Sequence, residues 1–134
     1  MIGVVVATHG TFGEALLATT GMIVGPCAQA RAVSLSHNDS PEVLRSLLAD
    51  AISEVDSGDG VLIMADMFGG TPANVGIVLL VPGRIELLTG VNLPMLLKFM
   101  TSRERYPLQE LAALLIGHAR DGIVQASEVL SRQS

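Results

Sequence analysis

The sequence has few aromatic and few basic side chains, which excludes several classes of function. Its 134 residues include three phenylalanines, one tyrosine and no tryptophan, and they carry a net charge of −5. Lys98 is the only lysine, and the arginines form no basic block. Such a chain lacks the positive stripe and the stacking rings that nucleic-acid-binding proteins use. We therefore expect no nucleic-acid partner.

Cysteines, membrane segments and nucleotide motifs are also scarce or missing. Cys27 is the only cysteine, so neither an internal disulfide nor a thiolate metal cluster can form. No apolar run approaches the roughly 18 residues of a membrane span, and the start of the chain lacks the positive charge of a signal peptide. A Walker-type glycine loop with a lysine does not occur. We expect a cytoplasmic protein with no cofactor, no metal ion and no direct membrane insertion.

The residues that are present alternate between two patterns. Hydrophobic residues make up 49% of the chain, and residues 1–134 have the length of a single domain. Four short apolar runs are typical of buried strands, and helical patterns follow them. The runs are residues 2–8, 31–35, 61–65 and 85–89. This alternation predicts an open, doubly wound α/β fold, with a mainly parallel four-stranded sheet and helices on both faces.

Capping residues mark several predicted helix starts. Thr11 and Glu14 have the spacing of a capping box, and Ser40 precedes a proline at the first helical position. Thr71 is likewise interpreted as a cap before a proline. The helix after it, through residue 81, is apolar nearly all round. This pattern predicts burial on more than one side and hints at a subunit interface.

His9 and Asp66 are the strongest candidates for catalytic residues, because each directly follows the end of a predicted strand. In open parallel sheets, ligands bind at the carboxyl ends of the strands beside the switch point. If the third strand lies beside the first, these two side chains face each other across one cleft. A neutral imidazole is a good nucleophile near pH 7, and a carboxylate bonded to its other nitrogen fixes the tautomer. His9 is the predicted nucleophile and Asp66 its orienting partner.

The segment after Asp66 is suited to binding an anion. Phe68, Gly69 and Gly70 lead to Thr71 at a helix start, where free backbone N–H groups and the helix dipole favour a phosphoryl group. The glycines let the backbone approach closely, and Thr71 adds a hydroxyl. Gly10, next to His9, completes the predicted phosphoryl-binding set.

Each of these residues also has a structural interpretation when it is taken alone. A lone histidine after a strand is more often structural, Asp66 could bond a turn, and Thr71 could be only a cap. The hypothesis depends on their occurring together at one end of the sheet. His37 is interpreted as part of a solvated loop, and His118 as a structural residue near a helix C-terminus, where a cation suits the dipole.

Three segments together resemble the mannose-type IIA components of the bacterial sugar phosphotransferase system. They are VVVATHG at residues 4–10, DMFGGTPAN at 66–74 and GVNLPM at 90–95. The block Asp-x-Phe-Gly-Gly-Thr-Pro is the most specific of them, and the similarity spans nearly the whole chain.

The resemblance implies that His9 accepts a phosphoryl group, that Asp66 orients it, and that Thr71 corresponds to the motif's hydroxyl residue. It implies HPr as the donor and a IIB component as the acceptor, the latter on a separate chain because this one stops at Ser134. It also implies a homodimer that exchanges a fifth, antiparallel strand drawn from residues 122–130. By its own pattern that segment is ambiguous between helix and strand.

Two alternatives stay open, and a third, a receiver domain, does not fit the residues after the first strand. The protein could report its phosphorylation state to a regulator without feeding a transporter, or it could be a phosphoryl donor domain for dihydroxyacetone kinase. The block at 66–74 argues against the kinase donor. A receiver domain would have its acceptor aspartate at Asp66, but the acidic pair that receivers carry after the first strand is replaced here by Thr8 and His9.

Overall fold

The computed structural model describes residues 1–132. Its elements in chain order are β1 (Gly3–His9), α1 (Phe12–Val24), β2 (Ala30–Leu35), α2 (Pro41–Val55), β3 (Val61–Ala65), α3 (Thr71–Ile77), β4 (Ile85–Thr89), α4 (Leu93–Ser102), α5 (Leu108–Asp121) and α6 (Ala126–Arg132). The strands lie in the order β2-β1-β3-β4, and each neighbouring pair is parallel. The predicted four-stranded parallel sheet is confirmed.

Helices cover both faces of the sheet, as the doubly wound prediction requires. One core cluster joins Val4 and Val6 of β1 to α4 and α5, with α1 packed against it. The other joins Val5 and Ala7 to α2 and α3. Since β1 and β3 are central strands covered on both faces, they read as continuous apolar runs. Among residues 1–132, no helix combines the length and the apolar character needed to span a membrane.

The start of α2 follows the predicted capping chemistry. The Ser40 side chain accepts a hydrogen bond from the backbone N–H of Val43 at 3.2 Å, and Pro41 occupies the first turn. The residues that α2 buries recur at helical spacing: Leu44, Leu48, Ala51, Ile52 and Val55. The helix is therefore fixed both by its cap and by its apolar face.

The predicted capping box of α1 is wrong. Thr11 has φ −93° and ψ 12°, outside the extended conformation of an N-cap, and its side chain makes no capping hydrogen bond. Thr8 replaces it, because its hydroxyl accepts a hydrogen bond from the Gly13 N–H at 2.8 Å. Glu14 accepts instead from the Ser34 hydroxyl at 3.0 Å. The helix still begins where the sequence predicts.

The third helix is shorter than predicted. Gly70 is its N-cap, so Thr71 is the first helical residue rather than the cap, and the helix ends at Ile77. Gly76 is a weak helix former, and the chain then turns so that Val81 bridges to the start of β4. The single chain leaves four apolar side chains of this region exposed: Ile77, Val78, Leu80 and Val81. The predicted subunit interface there stays a prediction.

The strand expected within residues 122–130 is not formed in the described chain. Residues Ala126–Arg132 form α6, and none of them is buried. The alanine, glutamate and leucine of this segment favour a helix, and the segment pairs with neither edge strand of the described sheet, β2 or β4. The predicted secondary structure is thus corrected for the single chain, and strand exchange between two chains stays a prediction.

Candidate functional site

The candidate site lies at the carboxyl end of the sheet, where β1 and β3 run side by side. The strand order places β2 on one side of β1 and β3 on the other, which makes a switch point between β1 and β3. Ala7 pairs with Ala65, so His9 and Asp66 come at the ends of neighbouring strands. The topology therefore brings the two predicted residues together.

Asp66 holds His9 through one carboxylate oxygen. The backbone N–H of His9 donates to Oδ2 at 3.0 Å, and the Nδ1 atom of the ring lies 2.8 Å from the same oxygen. The Asp66 side chain is 15% exposed, whereas the His9 side chain is 47% exposed. The imidazole is thus fixed on its protected side and open to solvent on the other.

The electrostatics of this pair define the tautomer of His9. Burial by itself would raise the pKa of the Asp66 carboxyl group, but the hydrogen bonds and the charge of His9 outweigh it, so this pKa lies below its ordinary value. The group is therefore ionised at neutral pH and can only accept hydrogen bonds. In the neutral imidazole, Nδ1 therefore carries the proton and Nε2 has the free lone pair.

Gly70 brings the loop after β3 against the imidazole. A Cβ atom at this position would lie 2.9 Å from Cε1 of His9 and 3.5 Å from Nε2. Such an approach requires a residue without a side chain. Gly69 and Gly10 have φ values of +86° and +56°, in the left-handed region that favours glycine. Three of the predicted phosphoryl-binding residues therefore shape the backbone around His9.

Thr8 and Gly13 support the site, and neither was among the predicted site residues. Thr8 is fully buried, and its hydroxyl bonds the first turn of α1. A Cβ atom on Gly13 would lie 3.0 Å from the Val6 carbonyl oxygen, so α1 packs closely on the end of β1. The sequence did contain a signal for this contact. Thr8 directly precedes His9 and lies five residues before Gly13, in the first turn of the predicted helix.

A cleft of about 550 Å³ opens beside His9. The residues that line it come from the loops after β1 and β2 and from the start of α3: His9, Gly10, Thr11, Ser34, Leu35, Ser36, His37, Asp39, Pro41 and Thr71. His37 is exposed, as its interpretation as a loop residue implies, but it shares this cleft with His9. Phe68 does not line the cleft, and it is 75% exposed.

The site is suited to nucleophilic chemistry at the His9 ring. Within residues 1–132, no three His, Cys, Asp or Glu side chains come together in a way that could hold a metal ion. His9 and Thr71 line the cleft, while the carboxylate of Asp66 orients the His9 ring and Gly70 lies against it from outside the cleft lining. This arrangement suits the transfer of an electrophilic group to the ring nitrogen.

Comparison with known families decides which group of proteins shares this site. A sequence profile described as "PTS system fructose IIA component", from the sugar phosphotransferase system, matches residues 3–116. The chain belongs to the mannose-type IIA family. The match includes His9, Asp66 and the loop that leads to Thr71, so the site belongs to the part of the chain that the IIA family shares.

Individual IIA proteins show how far the similarity extends. The fructose-specific EIIA component of Bacillus subtilis is 31% identical over 133 residues, which is 98% of this chain and 91% of that protein. The mannose-specific EIIAB component of Escherichia coli is 31% identical over 124 residues, but the match spans only 38% of that longer protein. The crystal structure of an EIIA component from Streptococcus agalactiae has a TM-score of 0.87 and 26% identity, covering 96% of this chain and 99% of that one.

Proposed function

We propose that this IIA protein is a phosphoryl carrier and that Nε2 of His9 is the atom that becomes phosphorylated. The observation that supports this most strongly is the His9–Asp66 pair. Its Nδ1–carboxylate distance is 2.8 Å, and the ring is half-exposed. A carrier needs a nucleophile that is oriented from behind and accessible from in front, and this pair meets both requirements.

The proposed step exchanges one nitrogen–phosphorus bond for another. Nε2 of His9 attacks the phosphorus of the phosphohistidine on HPr, so the new bond forms while the bond on HPr breaks. The Nδ1 proton stays in its hydrogen bond with Asp66, whose carboxylate offsets the positive charge that the ring acquires. The same exchange, with a IIB histidine as the attacking group, passes the phosphoryl group on and restores neutral His9.

The backbone around His9 is the proposed cradle for the phosphoryl oxygens. Gly10 and Thr71 line the cleft, and Gly70 lies against the ring. The first N–H groups of a helix have no acceptor within the helix, so those at the start of α3 are available to an anion. We assign Gly69 to the same cradle. For Phe68 we propose only a backbone role in the loop, because its ring is exposed and does not line the cleft.

The proposed partners are HPr and a separate IIB component, in a cytoplasmic pathway for sugar uptake. Apolar side chains beside His9 support the docking of such proteins. Phe12 follows the β1 loop, and Met67 and Phe68 follow Asp66, and all three side chains are exposed. Large apolar groups that remain exposed next to a reactive atom are typical of a surface that binds another protein.

A homodimer with an exchanged C-terminal strand also remains a proposal. Its support is that α6 buries none of its residues and that Ile123, Val124 and Leu130 are exposed. A segment with so few contacts loses little when it leaves its own chain. Sedimentation at micromolar concentration tests this proposal, and a stable monomer would contradict it.

Phosphorylation by purified phospho-HPr tests the carrier function. We expect one acid-labile phosphoryl group per chain, measured by intact-protein mass, and complete loss of that label in His9→Ala. His118→Ala is the matched control, because His118 is an exposed histidine of α5 that does not line the cleft. Full labelling of His9→Ala would refute the proposed function.

A further inference from the structure

The cleft beside His9 contains a second histidine with no assigned role. His37 lies on the loop between β2 and α2 and lines the cleft together with His9. The other ionisable side chain in the lining is that of Asp39, and no lysine or arginine belongs to it. Within the described residues, His37 is therefore the one cleft group besides His9 that can become cationic near neutral pH.

The acidic groups around this cleft are already engaged. The Asp39 carboxylate accepts a hydrogen bond from the backbone N–H of Ser36 at 2.9 Å. Glu14 of α1 accepts from the Ser34 hydroxyl, and Asp66 accepts from His9. No charged side chain of α2 lines the cleft itself, although Glu42 and Arg45 of that helix border the neighbouring groove between α2 and α3.

Phosphorylation of His9 would change the charge of the cleft sharply. A phosphoryl group brings close to two negative charges near pH 7. The side chains that line the cleft offer no permanent cation to offset this charge. A new anion beside an exposed imidazole favours the charged form of the ring, which then binds a proton from solvent.

We propose that His37 is the proton-responsive part of the phosphoryl site, binding a proton when His9 is phosphorylated and offsetting the charge of the phosphoryl group as an imidazolium. This inference rests on the proposed carrier function of His9. By reciprocity, protonated His37 stabilises the phosphorylated state by the same factor. The stabilisation is fully present below the titration midpoint of His37 in the unphosphorylated protein. It is lost as the pH rises through the higher midpoint in the phosphorylated protein.

Proton NMR of the three histidine rings tests the inference directly. The resonances are followed from pH 6 to 9, with and without phosphorylation by phospho-HPr, and intact-protein mass confirms the phosphoryl group. We expect the midpoint of the His37 titration to rise by at least about 0.5 pH unit on phosphorylation, as for a group that gains an opposite charge nearby. The midpoint for His118, outside the cleft, should stay where it is.

The possible failures are distinguishable. If the protein takes up no phosphoryl group, or takes it up elsewhere than on His9, both the carrier function and the role of His37 are wrong. If His9 is phosphorylated but the His37 midpoint moves no more than that of His118, the carrier function stands and the inference about His37 is overturned.

A pair of variants gives a second readout. The equilibrium ratio of phosphorylated to free protein, measured against HPr, should fall about threefold in His37→Gln at pH 6, which corresponds to a midpoint shift of about 0.5 unit. At pH 8.5 the ratio should equal that of the unmodified protein. His118→Gln should leave the ratio unchanged at both pH values. A His37→Gln effect that is equal at both pH values would contradict a role based on protonation.

Discussion

The two ends of the sheet carry cavities of similar size but different character. The cleft at the carboxyl end measures about 550 Å³, and a cavity at the amino end measures about 580 Å³. The amino-end cavity is lined in part by Ile2, Asp59, Arg103 and Arg105. It therefore has more permanently charged side chains than the cleft around His9, although the candidate chemistry lies in the cleft.

The difference between the ends lies in how their key side chains are held. Arg103 is only 6% exposed, donates to the Ile2 carbonyl at 3.3 Å and lies 5.4 Å from the centre of the Phe99 ring. Burial lowers the pKa of its guanidinium, against the opposing effects of Cys27 and Glu104. The Arg103 side chain is buried and held by its neighbours, whereas the His9 ring is hydrogen-bonded at one nitrogen only. The candidate site is therefore distinguished by a side chain that is oriented yet exposed, His9, and not by the volume of its cavity or the number of charged residues that line it.

The largest effect on this comparison is expected from Asp66→Asn. An amide cannot hold the Nδ1 proton as a carboxylate does, so the rate of phosphoryl transfer from HPr should fall about 10- to 100-fold. Asp59→Asn is the matched control at the amino end, where Asp59 pairs with the Met1 amino group at 2.7 Å. Rapid-quench measurement of labelling checks both. Equal rates for the two variants would remove the distinction between the ends.

The same variant has a signature in stability against pH. Because the pKa of Asp66 is depressed in the folded protein, its contribution to the free energy of unfolding is present above the unfolded value, about 3.9, and is lost as the pH falls through the folded one. The stability advantage of the unmodified protein over Asp66→Asn should therefore shrink on acidification below about pH 4. Urea unfolding at pH 7 and pH 3 measures it, and an advantage that grows in acid would contradict the pairing.

Arg103→Ala tests the comparison at the amino end of the sheet. The variant loses the guanidinium that lies over the Phe99 ring and its hydrogen bond to the Ile2 carbonyl, so the free energy of unfolding should fall by about 2 kcal/mol. Phosphoryl transfer per folded molecule should be unchanged. Urea unfolding and labelling at a temperature where the variant is folded give the two numbers. Loss of transfer in the folded variant would show that the two ends are coupled.

Gly70→Ala has a smaller expected effect, confined to the site. Gly70 has φ −83°, so an alanine suits its backbone, and the cost arises from the contact with the His9 ring. Tilting the ring away from its aligned position should slow transfer roughly tenfold. Gly117→Ala is the control, because a Cβ atom there meets nothing within 4 Å, and this change within α5 should stabilise the protein by about 0.5–1 kcal/mol. Normal transfer by Gly70→Ala would show that the close approach is not required.

Much of the fold could be predicted because its signals are local. The runs at 61–65 and 85–89 match β3 and β4 residue for residue, and the Ser40 cap begins α2 as expected. The closeness of His9 and Asp66 followed from one topological rule about strand ends. It required no knowledge of side-chain packing.

The remaining features depend on contacts that the sequence does not display. Thr8, and not Thr11, bonds the first turn of α1, because the geometry of the loop between β1 and α1 places the Thr8 hydroxyl there. The early end of α3 reflects the turn back into β4, and α6 is a segment that pairs with no strand of the described chain. His37 could not be placed beside His9 until the loop after β2 was seen to border the same cleft.

The open face of the His9 ring has a kinetic consequence. The His9 side chain is 47% exposed, so under the proposed carrier function we expect a partner to reach Nε2 without waiting for a lid to open, and turnover to be limited by the encounter of two proteins. Water has the same access, so we expect a phosphoryl group on His9 to be lost by hydrolysis. The proposed carrier is then suited to rapid relay between abundant partners and not to long storage.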